Sequence, residues 1–140
     1  MGDKLTEEVA ARYYEAPFVC DLGMELVSVA PGVAVSHLNV AENHLQQDGF
    51  VHAGVVATLA DHTGGAAAWT QVAPDQTVLT IEFKIQFLNP ARGPRLSCTA
   101  RVLRPGGRIT AAEAEVTNPD GTLAAKLTMT LAIVEKAKLK

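Results

Sequence analysis

Asp61 stands inside the run from Val51 to Trp69, a largely apolar stretch with no lysine or arginine within two helical turns of the acid. An ionised carboxylate taken out of water without a partner is costly. Such a group is therefore paired with a distant cation, protonated, or set at a cleft that solvent reaches. The residues at helical spacing from it, Ala57, Thr58, Gly64 and Gly65, offer no charge to pair with. One reading gives Asp61 an arginine from a distant strand or a second subunit. The other gives it chemistry, as a general base or nucleophile strengthened by poor solvation. That chemistry needs hydrogen-bond donors aimed at a developing negative oxygen, and the segment just upstream supplies them. Asp48-Gly49 is a turn pair, and Phe50-Val51-His52-Ala53-Gly54 carries the chain into a helix. The first N–H groups of a helix have no internal partner and lie at its positive end. Ala53 and Gly54 add little bulk there, so a carbonyl oxygen can approach their amides as it would an oxyanion hole. Asp61 is ~12 Å further along the axis, too far for one helix to place both groups on one carbonyl. The spacing points to a second copy of the helix as the source of the acid.

Other chemistries fit poorly. Ser36 and Ser97 lack a Gly-x-Ser-x-Gly setting. His37 and His44 lack metal-ligand spacing, so no metal is expected. Cys20 and Cys98 form no CxxC pair, and Cys98 falls on the apolar side of an alternating run, as a buried structural cysteine would. A formal net charge of −3 and the lack of a basic, aromatic-interleaved patch argue against nucleic acid. The opening MGDKLTEEVAARYYEAP has acids throughout and no apolar signal core, which with the unpaired cysteines suggests a cytoplasmic protein. His52, Asp61, His62, Gly64 and Gly65 make Val51–Trp69 a poor membrane span.

These residues need a scaffold. Leu5 to Glu15 reads as a short helix that Thr6 can cap, with Glu7 and Glu8 at its positive end and Pro17 beyond it. Met24–Val29 and Val33–Val40 read as strands split by Ala30-Pro31-Gly32. The long helix is placed from about His52 to Gln71. Beyond the Pro74-Asp75 break the pattern is two-periodic, with Leu79, Ile81, Phe83, Ile85 and Phe87 forming one apolar row. Further strands follow around Leu96–Val102, Thr110–Val116 and Leu123–Ile133, separated by turns at Pro105-Gly106-Gly107 and Asn118-Pro119-Asp120-Gly121. Such strands suit an antiparallel sheet with one buried face, and a single long, small-residue helix is available to cover it. The expected fold is α+β, an antiparallel sheet wrapped round a long central helix. It fills one domain over residues 1–140, with an N-terminal helix in 1–17 and a basic, solvated tail at 135–140.

The segment His52-Ala53-Gly54, with Asp61 eight residues after Ala53, resembles the hot-dog-fold acyl-CoA thioesterases, in particular their phenylacetate-pathway (PaaI-like) branch. That branch has His-Gly-Gly at the start of its central helix. Ala53 departs from it, but the role belongs to a backbone amide. The likeness continues through Leu79-Thr-Ile-Glu-Phe-Lys-Ile-Gln-Phe-Leu-Asn-Pro-Ala-Arg-Gly93 and covers roughly residues 23–134. It implies hydrolysis of an acyl-CoA thioester without a cofactor, in a dimer or tetramer. Each site would take Asp61 from one subunit and the Ala53 amide from the other. It further implies that Gln46, or Asn43 or Gln47 in its place, holds the thioester or water, and that Thr80 lies beside the attacking water. His52 would fix the loop or assist, with Gly54 beside it. Arg92 and Arg95 flank the Pro90-Ala91 turn, where they could meet CoA phosphates. Two rivals use the same fold: a non-catalytic acyl-CoA-binding protein and a hot-dog dehydratase or hydratase.

Overall fold

The computed structural model describes residues 4–140; the side chains of residues 4–6 and 9 lie outside that description, and with them the expected Thr6 cap. Helix α1 spans Lys4–Tyr13, α2 Pro17–Leu22 and α3 Ala53–Trp69. Strands β1 (Met24–Ala30), β2 (Val33–Asn39), β3 (Gln76–Phe87), β4 (Arg95–Arg104), β5 (Ile109–Thr117) and β6 (Leu123–Glu135) form one sheet in the order β1-β2-β4-β5-β6-β3. Every pairing is antiparallel. The six-residue α2 was not expected from the sequence. Pro17 opens it rather than merely ending α1, and Gly23 at φ 86° closes it in a left-handed cap.

The sheet wraps α3, which lies against all six strands. Val56, Leu59, Ala60, Thr63 and the run Gly64–Ala68 are buried against Leu38, Leu96, Ala100, Ala112, Ala114, Leu127 and Leu131 of the sheet. The small residues set how closely helix and sheet approach, and each fully buried leucine contributes about 1.5–3 kcal/mol. A methyl group at Gly64 would overlap the Met129 sulfur, so this mid-helix glycine marks a close approach that offsets its propensity cost of about 1 kcal/mol.

The apolar row expected on one face of β3 is divided. A bulge between Thr80 and Glu82 inserts Ile81 as an unpaired residue. Beyond it, Phe83, Ile85 and Phe87 pair with Met129, Leu127 and Ala125 and so share the helix-facing side. Before it, Thr80 pairs with Leu131 on that same side, while Leu79 pairs with Ala132 on the other. An extra residue reverses the alternation, which is why a period of two could not be carried through. The basic tail is exposed along residues 135–140, as a solvated end is. Residues Lys136–Leu139 form a 3₁₀ turn, and Lys136 donates to the Pro74 carbonyl at 3.1 Å with its ammonium 5.9 Å from the Trp69 ring centroid.

Candidate active site

The chain enters α3 through a loop tied at several points. Gly49 takes φ 87°, and the Gln46 side-chain oxygen accepts from Asp48 N–H at 2.5 Å and from Phe50 N–H at 3.3 Å. The amides of Val51 and His52 donate to Ala91 O and His44 O, both at 2.8 Å. His44 is buried and structural: Nδ1 accepts from Ala41 N–H at 2.9 Å, so the proton lies on Nε2, which donates to Leu22 O at 2.7 Å. His52 caps the helix, its Nδ1 accepting from Gly54 N–H at 2.8 Å. The amides of Val55 and Val56 both turn back to His52 O. Gly54 was expected to offer a second open amide; the His52 ring has taken it, because Ser, Thr, Asp or Asn is missing at the cap and imidazole fills that role. Among the described residues no acceptor meets the Ala53 N–H, and Ala53 is exposed.

That amide lies at a pocket of about 540 Å³ whose walls include Gln46, Gln47, Phe50, His52, Ala53 and the turn after β3. With its oxygen held by the loop, the Gln46 amide nitrogen is left to face a ligand. Asn43, in the 3₁₀ turn Glu42–His44, is not part of the wall. Arg92 is not part of the wall either, but its guanidinium lies 5.4 Å from the ring centroid of Phe50, which is. Arg95 lies elsewhere: its Nε donates to Asn39 Oδ1 at 2.8 Å across the β2–β4 pairing, so it does not join Arg92 at this opening.

Asp61 is half-buried on α3 and turns toward edge strand β3, where its Oδ1 accepts from the Thr80 hydroxyl at 2.8 Å. It forms no ion pair with any described lysine or arginine, so the arginine-paired reading finds no partner among the described residues. Burial raises its pKa and the Thr80 hydrogen bond lowers it; burial prevails, leaving a carboxylate more basic than usual. The bulge in β3 makes this contact possible by turning Thr80 toward the helix. Asp61 is not part of the pocket at Ala53, as the helical rise requires. Its neighbour His62 packs under α1, stacked 4.2 Å from the Tyr13 ring with Nε2 donating to Tyr13 O at 3.1 Å. Burial pulls its pKa down to about 4, so it is a neutral packing residue at pH 7. Cys98 is fully buried and its thiol is pushed up to about 12 by burial, which suits a structural role.

The sequence reading missed Tyr13, whose hydroxyl lies over Gly65, one turn along the helix face that carries Asp61. The available signal was the Gly64-Gly65 pair in mid-helix, a costly choice unless something lies against it. At Gly65 that something is the Tyr13 hydroxyl, which a methyl group would overlap.

The model of the thioesterase superfamily matches residues 48–125, more than half of the chain. The chain belongs to the thioesterase superfamily. It is 30% identical over 117 residues to the 1,4-dihydroxy-2-naphthoyl-CoA hydrolase of Listeria monocytogenes, covering 84% of this chain and 95% of that protein. A thioesterase family protein from Silicibacter pomeroyi superposes with a TM-score of 0.89 at 33% identity, covering 93% of this chain and 98% of the other. The PaaI protein of the Escherichia coli phenylacetic acid degradation operon has the same fold, with a TM-score of 0.85 at 23% identity over 92% of this chain and 93% of that one. The hot-dog fold expected from the sequence is thus the observed one, and the superfamily chain is a thioester hydrolase. No helix among the described residues is long and apolar enough to cross a membrane.

Proposed function

We propose that this chain, a single hot-dog unit, hydrolyses acyl-CoA thioesters at sites shared by two copies in a PaaI-like arrangement. One observation carries the reading. The half-buried Asp61 is held by Thr80 without a cation among the described residues, while the Ala53 N–H is open but lies at a pocket that Asp61 does not line. Ala57 lies midway between them in sequence. A two-fold axis near it, with the helices antiparallel, places each Asp61 opposite the other copy's Ala53. Edge strand β3 supports the pairing, because Leu79, Ile81, Phe83 and Phe87 are all exposed along it. The relatives' names support the substrate class: a CoA thioester hydrolase in Listeria and an acyl-coenzyme A thioesterase in Homo sapiens. The cytoplasm, where CoA thioesters are made and thiols such as Cys20 and Cys98 stay reduced, is the compartment we assign.

In this reading Asp61 is the base. Water attacks the thioester carbonyl carbon and gives one proton to Asp61, while the Ala53 N–H and the helix N-terminus receive the negative oxygen. The tetrahedral intermediate then breaks its C–S bond and the leaving sulfur takes the proton from Asp61. Gln46 orients the thioester with its free amide nitrogen, and Arg92 beside Phe50 meets a CoA phosphate; Arg95 and Asn43 have no part. The test follows thiol release from a panel of acyl-CoAs by wild type and Asp61→Asn, which keeps an oxygen for Thr80 to bond. The expected loss in kcat is ~10²–10⁴-fold, the usual worth of a positioned base. Equal turnover by both proteins refutes the assignment. Tight binding without turnover by wild type turns the reading to a non-catalytic acyl-CoA-binding protein.

A further inference from the structure

Tyr13 is the last residue of α1, and its ring is clamped on the face of α3 that carries Asp61. It stacks on His62 at 4.2 Å and lies 5.1 Å from Trp69. Its hydroxyl rests over Gly65, which supplies the missing side chain that this approach requires. Gly65 and Asp61 share one helix face, a single turn and ~6 Å apart along the axis. The hydroxyl hydrogen-bonds to none of the described residues; Tyr13 also lines a pocket of about 730 Å³ with His62 and Trp69, and Asp61 is not part of that wall. Burial first, and then the Asp61 charge, raise the Tyr13 pKa well above its usual value, so the phenol stays protonated and can both donate and accept. On the far side of Asp61, Thr80 occupies Oδ1 and leaves Oδ2 free.

The hydroxyl lies over Gly65, one helical turn from the residue that carries the free Oδ2, and a single bridging water, whose two hydrogen bonds span ~5.5 Å, suits groups set about a turn apart. We propose that the Tyr13 hydroxyl and Asp61 Oδ2 hold the attacking water between them. This deepens the reading of Asp61 as a base and rests on it. The water gives one hydrogen bond to Asp61 Oδ2 and the other to the Tyr13 oxygen, so its remaining lone pairs face the thioester. On attack the O–C bond forms, the proton facing Asp61 transfers to Oδ2, and the proton facing Tyr13 stays on the new carboxyl group. When the C–S bond breaks, the proton on Asp61 passes to the sulfur. Tyr13 undergoes no net change.

The test is Tyr13→Phe, which keeps the ring, its stacking and the Gly65 approach and removes the hydroxyl alone. The expected result is a fall in kcat of about tenfold, with KM for the acyl-CoA within about twofold of wild type and an unchanged Tm. Gly65→Ala, which displaces the hydroxyl while leaving Tyr13 in the sequence, is expected to lower kcat in the same way and gives an independent reading should Tyr13→Phe fold poorly. Added to Asp61→Asn, Tyr13→Phe is expected to cause no further loss, because a water that no base activates gains little from being held. Wild-type kcat in both single variants overturns the proposal. So does a rise in KM at unchanged kcat, or a full additional loss on the Asp61→Asn background. If Asp61→Asn itself turns over normally, the base reading fails; if it is inactive while Tyr13→Phe is normal, the failure is confined to the water-holding role.

Discussion

Asp61 owes its chemistry to two opposed influences from its surroundings. Burial on α3 raises the carboxyl pKa, and the Thr80 hydroxyl, donating at 2.8 Å, draws it part of the way back. The carboxylate acts when unprotonated, so the rate falls as pH drops through the raised pKa. Removing the donor raises that pKa further. Thr80→Val, with nearly the same shape, is therefore expected to move the acid limb of kcat to higher pH. Turnover on that limb falls several-fold and the neutral plateau changes less, while Thr80→Ser restores the wild-type profile. A pH–kcat profile of Thr80→Val superimposable on wild type would remove Thr80 from the account. At this scale the sequence was informative where the residue type itself carried a cost. An acid in an apolar helix is conspicuous, and Asp61 was found for that reason. The capture of the Gly54 amide by His52 was not legible, because it depends on ring orientation. Tyr13 was hidden because the helix face it covers begins 49 positions away, with only a glycine pair to signal the approach.

The elements were read well where pattern and length agreed. The long helix was placed at about His52–Gln71 and runs over Ala53–Trp69; its ends shift because His52 has become the cap and Thr70 the last turn. The strands around Leu96, Thr110 and Leu123 came through as strands for the same reason, each with an unbroken buried row. Pattern failed in β3, where one unpaired residue reverses the alternation and no sequence period records it. That bulge puts Thr80 on Asp61 while leaving Ile81 55% exposed on an edge strand that also exposes Phe83 and Phe87. An unpaired, apolar edge is a template for another strand, and a lysine there is a common natural block. Ile81→Lys is expected to shift the protein to monomer in sedimentation at micromolar concentration. Specific activity is expected to fall at least tenfold, since the amide facing each Asp61 would be lost with the second copy. A monomeric variant with full activity would instead locate a complete site within one chain.

At the scale of the whole molecule the question is which chain supplies which group. The sequence raised it through a length alone, the ~12 Å of helix between Ala53 and Asp61. Asp61 lies outside the pocket at Ala53, which keeps it in that form. Ala53 allows a clean separation of the two lesions. It is the first residue of α3, where proline is well tolerated and where its missing N–H is the very group to be deleted. The preceding residue, His52, already holds ψ 139°, extended and outside the α region that proline disfavours in its predecessor. Ala53→Pro should therefore fold, keep Asp61 and Thr80 in place, and lose turnover with its oxyanion donor. Asp61→Asn loses the base and keeps the amide. Mixed in equal amounts and allowed to exchange subunits, the two inactive proteins form heterodimers in about half of the dimers, each with one site free of both lesions and one carrying both. Activity is then expected to recover to about a quarter of wild type, the share of sites restored. If each site drew its acid and its amide from the same chain, every site in the mixture would keep one lesion. Turnover measured after exchange would then stay at the level of the separate variants.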